Sequence, residues 1–284
     1  MRAVLNRRLL LVTGKGGTGK SAVAASLAVA AGRRGLRVLA LAMDHGAGLA
    51  RHLRVTTLGP APQRCGDVHV AVVDPVAALD EYLRMRVRVP RLAAVSRVFA
   101  AVVETVPGVR DTTMIGKVVF ESTRPRWDLV VADAPPTGQV SSFLEAPATI
   151  AGLVPGGAVR DQAAWMRSVL ADPQHTGLVV VATPEELPVT EAKSFMAGVT
   201  ASRIAAVVAS VANKVLPAPD FDGSALAGTT DSSGRQAGAL HLALIERQQG
   251  HLMDLKADRT IPFLFGMRTA GETTERIADL WGTV

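Results

Sequence analysis

Near the start of the chain, Gly14-Lys15-Gly16-Gly17-Thr18-Gly19-Lys20-Ser21 sets four glycines among two lysines, a threonine and a serine. Glycines let the backbone curl until successive N–H groups face one anion, and a helix beginning there adds its positive end. The amides of Gly16, Gly17, Thr18, Gly19, Lys20, Ser21 and Ala22 are therefore candidates to cradle the phosphates of a nucleotide, ATP or ADP. At this spacing Lys20 supplies a cation to the outer phosphates, and the Ser21 hydroxyl is a ligand for Mg²⁺.

Two carboxylates stand at the ends of apolar runs. Asp133 closes Val130-Val131-Ala132 and precedes Ala134-Pro135-Pro136-Thr137-Gly138. A carboxylate at the carboxyl edge of a buried strand can hold the Mg²⁺ shell; a structural turn is the alternative. Asp44 follows Leu41-Ala42-Met43, where a turn or helix cap competes with a role in catalysis. An amide, Asn213, ends another apolar run, and its donor and acceptor match the edge of adenine.

The elements that must position these groups follow from pattern. Leu9 to Thr13 is an apolar run stopped by glycine, as a strand buried on both faces reads. Lys20 to Ala31 is alanine-rich and ends at Gly32 beside Arg33 and Arg34, which predicts a helix with a glycine stop. Val38 to Ala42 is the next strand, completing a βαβ unit and hence a parallel sheet. Further strands are expected at Val68 to Val73, Leu129 to Ala132, Leu178 to Ala182, Ile204 to Ala212 and near Thr260-Ile261.

Residues 75–127 and 139–172 carry helical spacing, with breaks at Pro90, Pro107-Gly108, Pro147 and Pro155-Gly156-Gly157. They predict a helical insertion on the sheet. Helices are expected over Val189 to Val199, Ala239 to Lys256 and Glu272 to Leu280, with a mobile loop over 217–238, rich in Gly, Ser, Asp and Pro. The whole, 1–284, reads as one α/β domain: a doubly wound, mostly parallel sheet of the P-loop NTPase kind with a helical insertion subdomain.

Composition sets outer bounds. The chain carries 31 basic and 25 acidic residues, a net charge of +6, which a nucleotide site and a basic patch explain without nucleic acid. Cys65 is the one cysteine, so an intrachain disulfide and any Cys-x-x-Cys metal site are excluded. No apolar run reaches the roughly 18 residues a membrane span needs. The start of the chain does not read as a signal peptide, so a cytoplasmic protein without stable membrane insertion is expected.

With Lys15 inside the loop, the sequence resembles the deviant P-loop class that includes the ArsA-type arsenical-pump ATPases, the ATPase guiding tail-anchored proteins, and the MinD, ParA and nitrogenase iron proteins. The resemblance implies that Lys15 crosses a dimer interface to the partner's phosphates; otherwise it is one more loop charge. Asp133-Ala134-Pro135-Pro136-Thr137-Gly138 narrows the likeness to the ArsA-type and tail-anchored-targeting branch. It implies that Asp44 polarises the attacking water, although His45, Gly46 and Ala47 depart from that branch's pattern. It further implies that Asn213 contacts adenine and that Pro262 and Phe263 wrap the base. Thr183-Pro184-Glu185-Glu186-Leu187-Pro188-Val189 matches another loop of the branch, of unassigned role. The matches span nearly the whole chain, and with Val106 to Asp111 they look like bacterial, actinobacterial-style members.

The departures remove named cargoes. One cysteine cannot build a thiolate metalloid site, a paired Cys-x-x-Cys zinc clamp or an iron–sulfur cluster. What remains implied is a Mg²⁺-dependent ATPase dimer, paired with itself or a related chain, acting on a protein or membrane-protein client. Met85, Met114, Val118, Val119, Phe120, Trp165 and Met166 in the helical insertion read either as core or as an adaptable groove. Arg84, Arg86, Arg88, Arg91 and Arg97 read as a solvated face or as a surface for an acidic partner or anionic lipid. The competing readings are a ParA- or MinD-type positioning protein, and a nucleotide-binding subunit with little hydrolysis. The segment from Ala270 to Val284 lacks the basic amphipathic helix that membrane positioning wants.

Overall fold

The computed structural model describes residues 2–87, 103, 105, 108–219 and 231–282. A short helix, α1 (Arg2–Leu5), precedes β1 (Leu9–Gly14), in which all six residues are buried. Leu9 and Leu11 enter one core, and Leu10 and Val12 enter another on the opposite face. That is the pattern of a central strand covered on both sides, and it makes the run continuously apolar.

Helix α2 (Lys20–Gly32) follows, then β2 (Val38–Ala42), α3 (Ala47–His52), β3 (Gln63–Cys65) and β4 (Val68–Val72). Two helices, α4 (Pro75–Val87) and α5 (Val109–Thr123), precede β5 (Leu129–Asp133). Another two, α6 (Thr137–Leu153) and α7 (Ala158–Ala171), lead to β6 (Thr176–Ala182). The chain continues through α8 (Glu186–Ser202), β7 (Val207–Val215), α9 (Ser232–Leu255), β8 (Arg259–Pro262) and α10 (Ala270–Gly282).

The eight strands form one sheet in the order β3-β4-β2-β5-β1-β6-β7-β8, parallel except where β3 meets β4. Helices α2, α3 and α10 contribute to the core on one face, and α5 to α8 to the core on the other. The fold is thus a doubly wound, mostly parallel α/β sheet with added helices. Register levels the strand ends: Val12 and Ala42 both pair with Asp133, and Gly14 pairs with Val181. The loops carrying the candidate residues consequently leave the same edge.

The helical region is tied to the sheet at Glu121, which is buried. Its carboxylate accepts from Trp127 Nε1 at 2.9 Å and from Lys117 Nζ at 2.8 Å, and Lys117 also reaches Glu81 at 2.6 Å. Burial alone would raise the Glu121 pKa, yet hydrogen bonds and charge from Lys117, Trp127 and Arg124 leave it lowered. Arg8 caps the same helix end, donating to the carbonyls of Ser122, Arg124 and Trp127.

Several expectations are corrected. The left-handed residue after α2 is Gly35, φ +82°, whereas Gly32 is still helical and lies where a Cβ would come within 2.8 Å of the Asp67 carbonyl. Gly32 therefore serves close packing, not the stop. Helix α9 begins at Ser232 because the Asp231 side chain accepts from the N–H groups of Ser233 and Gly234, so the expected loop over 217–238 is shorter at that end. Strand β7 starts at Val207, three residues later than expected, and runs on to Val215. Pro147 lies inside α6 and does not end it.

Met114, Val118, Val119 and Met166 belong to the core, and Trp165 packs against it. Arg84 pairs with Asp80 one turn away. Arg88, Arg91, Arg97, Pro90 and Pro107 lie outside the described residues, as does most of 217–231. Among the described residues no helix is long and apolar enough to cross a membrane.

Candidate nucleotide site

The loop after β1 turns at Gly14, Gly17 and Gly19, with φ of +154°, +87° and +92°. Gly19 caps α2 without any side-chain hydrogen bond, so the amides heading the helix are left to a ligand. A Cβ on Gly14 would sit 2.0 Å from the Val181 carbonyl, and one on Gly19 would sit 2.3 Å from Asn213 Nδ2. These two positions admit no side chain, because neighbouring strands press against the loop. Thr13 Oγ1 donates to the Pro135 carbonyl at 2.7 Å, joining this loop to the one after β5.

Lys20, Ser21, Asp44 and Asp133 converge on one cavity of about 660 Å³, also lined by Arg110, Asp111 and Gln139. Burial lowers the Lys20 pKa, against which Asp133 and Asp44 act as opposing negative charges. Burial pushes the Asp133 carboxyl up to about 6; hydrogen bonding with Ser21 and the charge of Lys20 resist that rise, while Asp44 adds to it. Asp133 Oδ2 is buried without a hydrogen-bond partner.

The residues present fit Mg²⁺. A buried carboxylate oxygen without a partner faces a serine hydroxyl, a hard oxygen pair suited to that ion. Gly48, at the head of α3, borders the same place: a Cβ there would lie 2.6 Å from Ser21 Oγ and 4.0 Å from Asp133 Oδ2. Only a glycine leaves this cradle open. Sequence pattern did not single out Gly48, since its closeness to Ser21 arises from the packing of α3 across the sheet edge.

The remaining candidates are placed differently. Asp44 is exposed, and its Oδ1 accepts from the Gly46 N–H at 2.7 Å, forming the turn that starts α3. Lys15 forms an ion pair with Glu191 of the same chain, on α8. Asn213 is buried, and its Nδ2 donates to the Thr18 carbonyl at 2.7 Å, so the amide braces the outside of the loop. Phe263 is anchored through its N–H to the Val215 carbonyl at 2.7 Å, just after Pro262 closes β8. Its ring is exposed and meets that of Phe265 at a centroid distance of 4.8 Å, tilted by 54°. Lys214, next to Asn213, also reaches the loop, and sequence reasoning gave it no role. The loop of Thr183 to Glu185 leads directly into the helix that carries Glu191.

Comparison with known proteins agrees with this geometry. The family model for anion-transporting ATPases, of the ArsA type, matches residues 7–155. The ATPase BagA of Mycobacterium tuberculosis is 32% identical over 251 residues, which cover 82% of this chain and 73% of that protein. The arsenical pump-driving ATPase of Escherichia coli is 26% identical over 278 residues, covering 88% of this chain and 44% of that one. The matched region contains the glycine loop between β1 and α2 and Asp133, which lies level beside it in the sheet. The chain belongs to the ArsA-type, anion-transporting ATPase family.

Proposed function

We propose that the protein is a Mg²⁺-dependent ATP hydrolase that works as a nucleotide-switched dimer, with a copy of itself or a related chain, upon a client. The observation that carries the hydrolase reading is the convergence of Lys20, Ser21, Asp44 and Asp133 on one cavity at the head of α2. The free amides of Lys20, Ser21 and Ala22 would take phosphate oxygens, and the Lys20 ammonium would balance charge on the outer phosphates. Ser21 and Asp133 would hold Mg²⁺, which when bound offsets phosphate charge and orients the terminal phosphoryl group. Asp44 would orient the attacking water through the carboxylate oxygen not bonded to Gly46.

Lys15 would supply a second cation to the partner's site, as the likeness to the deviant P-loop class implies. Its ammonium must then leave Glu191, so assembly and release of that ion pair are linked. For the client, a cavity of about 570 Å³ between α4, α5, α6 and α7 supports an apolar segment. Leu79, Leu83, Phe120 and Met166 line it, and Leu153 and Val159 beside it are 71% and 47% exposed.

The test is calorimetric titration of ATP with Mg²⁺ present, paired with measured phosphate release. The wild type binds and turns over. Lys20→Ala abolishes turnover, and Asp44→Asn keeps nucleotide binding while slowing hydrolysis at least a hundredfold. Unchanged turnover in Lys20→Ala would reject the site.

A further inference from the structure

Strand β7 pairs with β8 in parallel, but the register slips between Ala212 and Val215. Asn213 and Lys214 lie in that slip. In a regular strand, neighbouring side chains point to opposite faces. Here both reach the same loop: Asn213 Nδ2 donates to the Thr18 carbonyl at 2.7 Å, and Lys214 Nζ donates to the Gly17 carbonyl at 2.9 Å. The irregularity re-aims the strand end, as bulges beside functional sites do. Lys214 accordingly adopts φ +59°, a left-handed conformation that a lysine rarely takes.

The loop crest has little packing of its own. Gly16 and Gly17 are exposed, and a Cβ on either would meet nothing within 4 Å. A peptide group is planar and trans, so its N–H points away from its C=O. Holding the Gly17 carbonyl from outside fixes the peptide whose Thr18 N–H closes the loop, donating to the Lys15 carbonyl at 3.3 Å. Holding the Thr18 carbonyl fixes the direction of the Gly19 N–H. The Gly19 N–H is among the amides that the nucleotide reading turns toward phosphate, and the closed turn at Thr18 holds the crest beside it.

We propose that Lys214 is a positioning residue for the phosphate loop, forming with Asn213 a two-point clamp that orients successive crest peptides for the triphosphate. The proposal rests on the nucleotide-site reading above. It assigns a task to the register slip and to the left-handed lysine. A neutral hydrogen bond is made by Asn213 at the buried peptide, and a charge-assisted one by Lys214 at the exposed crest, where water competes.

The experiment compares wild type, Lys214→Ala, Lys214→Arg and Lys214→Gly for ATP affinity by calorimetry and for steady-state hydrolysis. Lys214→Ala should raise the KM and Kd for ATP about tenfold, the worth of one charge-assisted hydrogen bond, while kcat falls no more than about threefold. Lys214→Arg should restore affinity to within about threefold of wild type. Lys214→Gly suits the left-handed backbone, so it should be at least as stable as wild type yet bind ATP as weakly as Lys214→Ala. Wild-type affinity in Lys214→Ala overturns the clamp, as does a Lys214→Gly variant that binds normally. If the wild type itself takes up no ATP, the nucleotide-site reading fails and the clamp goes with it. If the wild type binds ATP and Lys214→Ala binds it equally, the clamp alone fails.

Discussion

Lys15 and Glu191, 176 residues apart, form an ion pair that carries the second loop lysine away from its own cavity and onto α8. Both side chains are about a third exposed, at 29% and 38%, so the pair is weak enough to exchange. Under the proposed dimer, Glu191→Gln should tighten ATP-dependent self-association roughly two- to fivefold for each pair released, read by sedimentation velocity. Lys15→Ala should keep nucleotide binding and lower kcat on the order of a thousandfold. A Glu191→Gln variant that associates no better than wild type removes the competition between the two partners of Lys15.

Gly48 gives a test of the cation cradle that substitutes no residue of the phosphate loop. Alanine favours a helix by about 1 kcal/mol over glycine, which offsets part of the cost of moving Ser21 aside, so Gly48→Ala should still fold cooperatively. Its methyl group would nonetheless fill the space beside Ser21 Oγ. Nucleotide affinity measured with Mg²⁺ should fall at least about tenfold, and affinity measured in EDTA should change far less. Equal losses under both conditions would place the cation elsewhere.

Asp133 links the site to pH. Its folded-state pKa of about 6 exceeds the ordinary 3.8 through burial first, so between those values the folded chain keeps a proton that the unfolded chain has lost. This contribution is fully present below the ordinary value and fades as pH rises through the folded one. At pH 7.5 without nucleotide or Mg²⁺, Asp133→Asn should be more stable than wild type by up to about 3 kcal/mol. The two should converge below about pH 4 in urea titrations. A constant difference across that range would dismiss the titration of Asp133 as its cause.

Glu121 is the opposite kind of buried acid. Its lowered pKa reflects stabilisation that is present at neutral pH and lost as pH falls through the folded-state value. Glu121→Ala leaves the Trp127 N–H and the Lys117 ammonium without their buried acceptor. Such a loss costs about 3 kcal/mol or more, visible as a drop in the urea midpoint. Glu121→Gln should recover part of it by still accepting from Trp127.

Much of this arrangement was legible in the residues, for a physical reason. Strands β1, β2, β5 and β6 are buried on both faces, so their apolar runs stand out, and Gly14, Gly17 and Gly19 of the loop are demanded by their positive φ. The short antiparallel β3, Gln63-Arg64-Cys65, was not legible, because an edge strand needs no apolar face. Pro147 was expected to interrupt a helix, yet tertiary packing carries α6 through it. Within the site, Lys20, Ser21 and Asp133 followed from motif and strand end. Gly48, Glu191 and Lys214 did not, since each touches the loop from an element far away in the chain or through a slip in strand register. Periodicity describes neither.

The order of the sheet imposes a timetable on the protein's birth. β1, which bears the phosphate loop, is sandwiched between β5 and β6, and the brace from Asn213 arrives only with β7. A nascent chain emerging from the ribosome therefore exposes its glycine loop long before the strands that shape it exist. Under the proposed function, capture of a nucleotide on a fully braced loop would follow the emergence of Asn213, with only β8 of the sheet still to come.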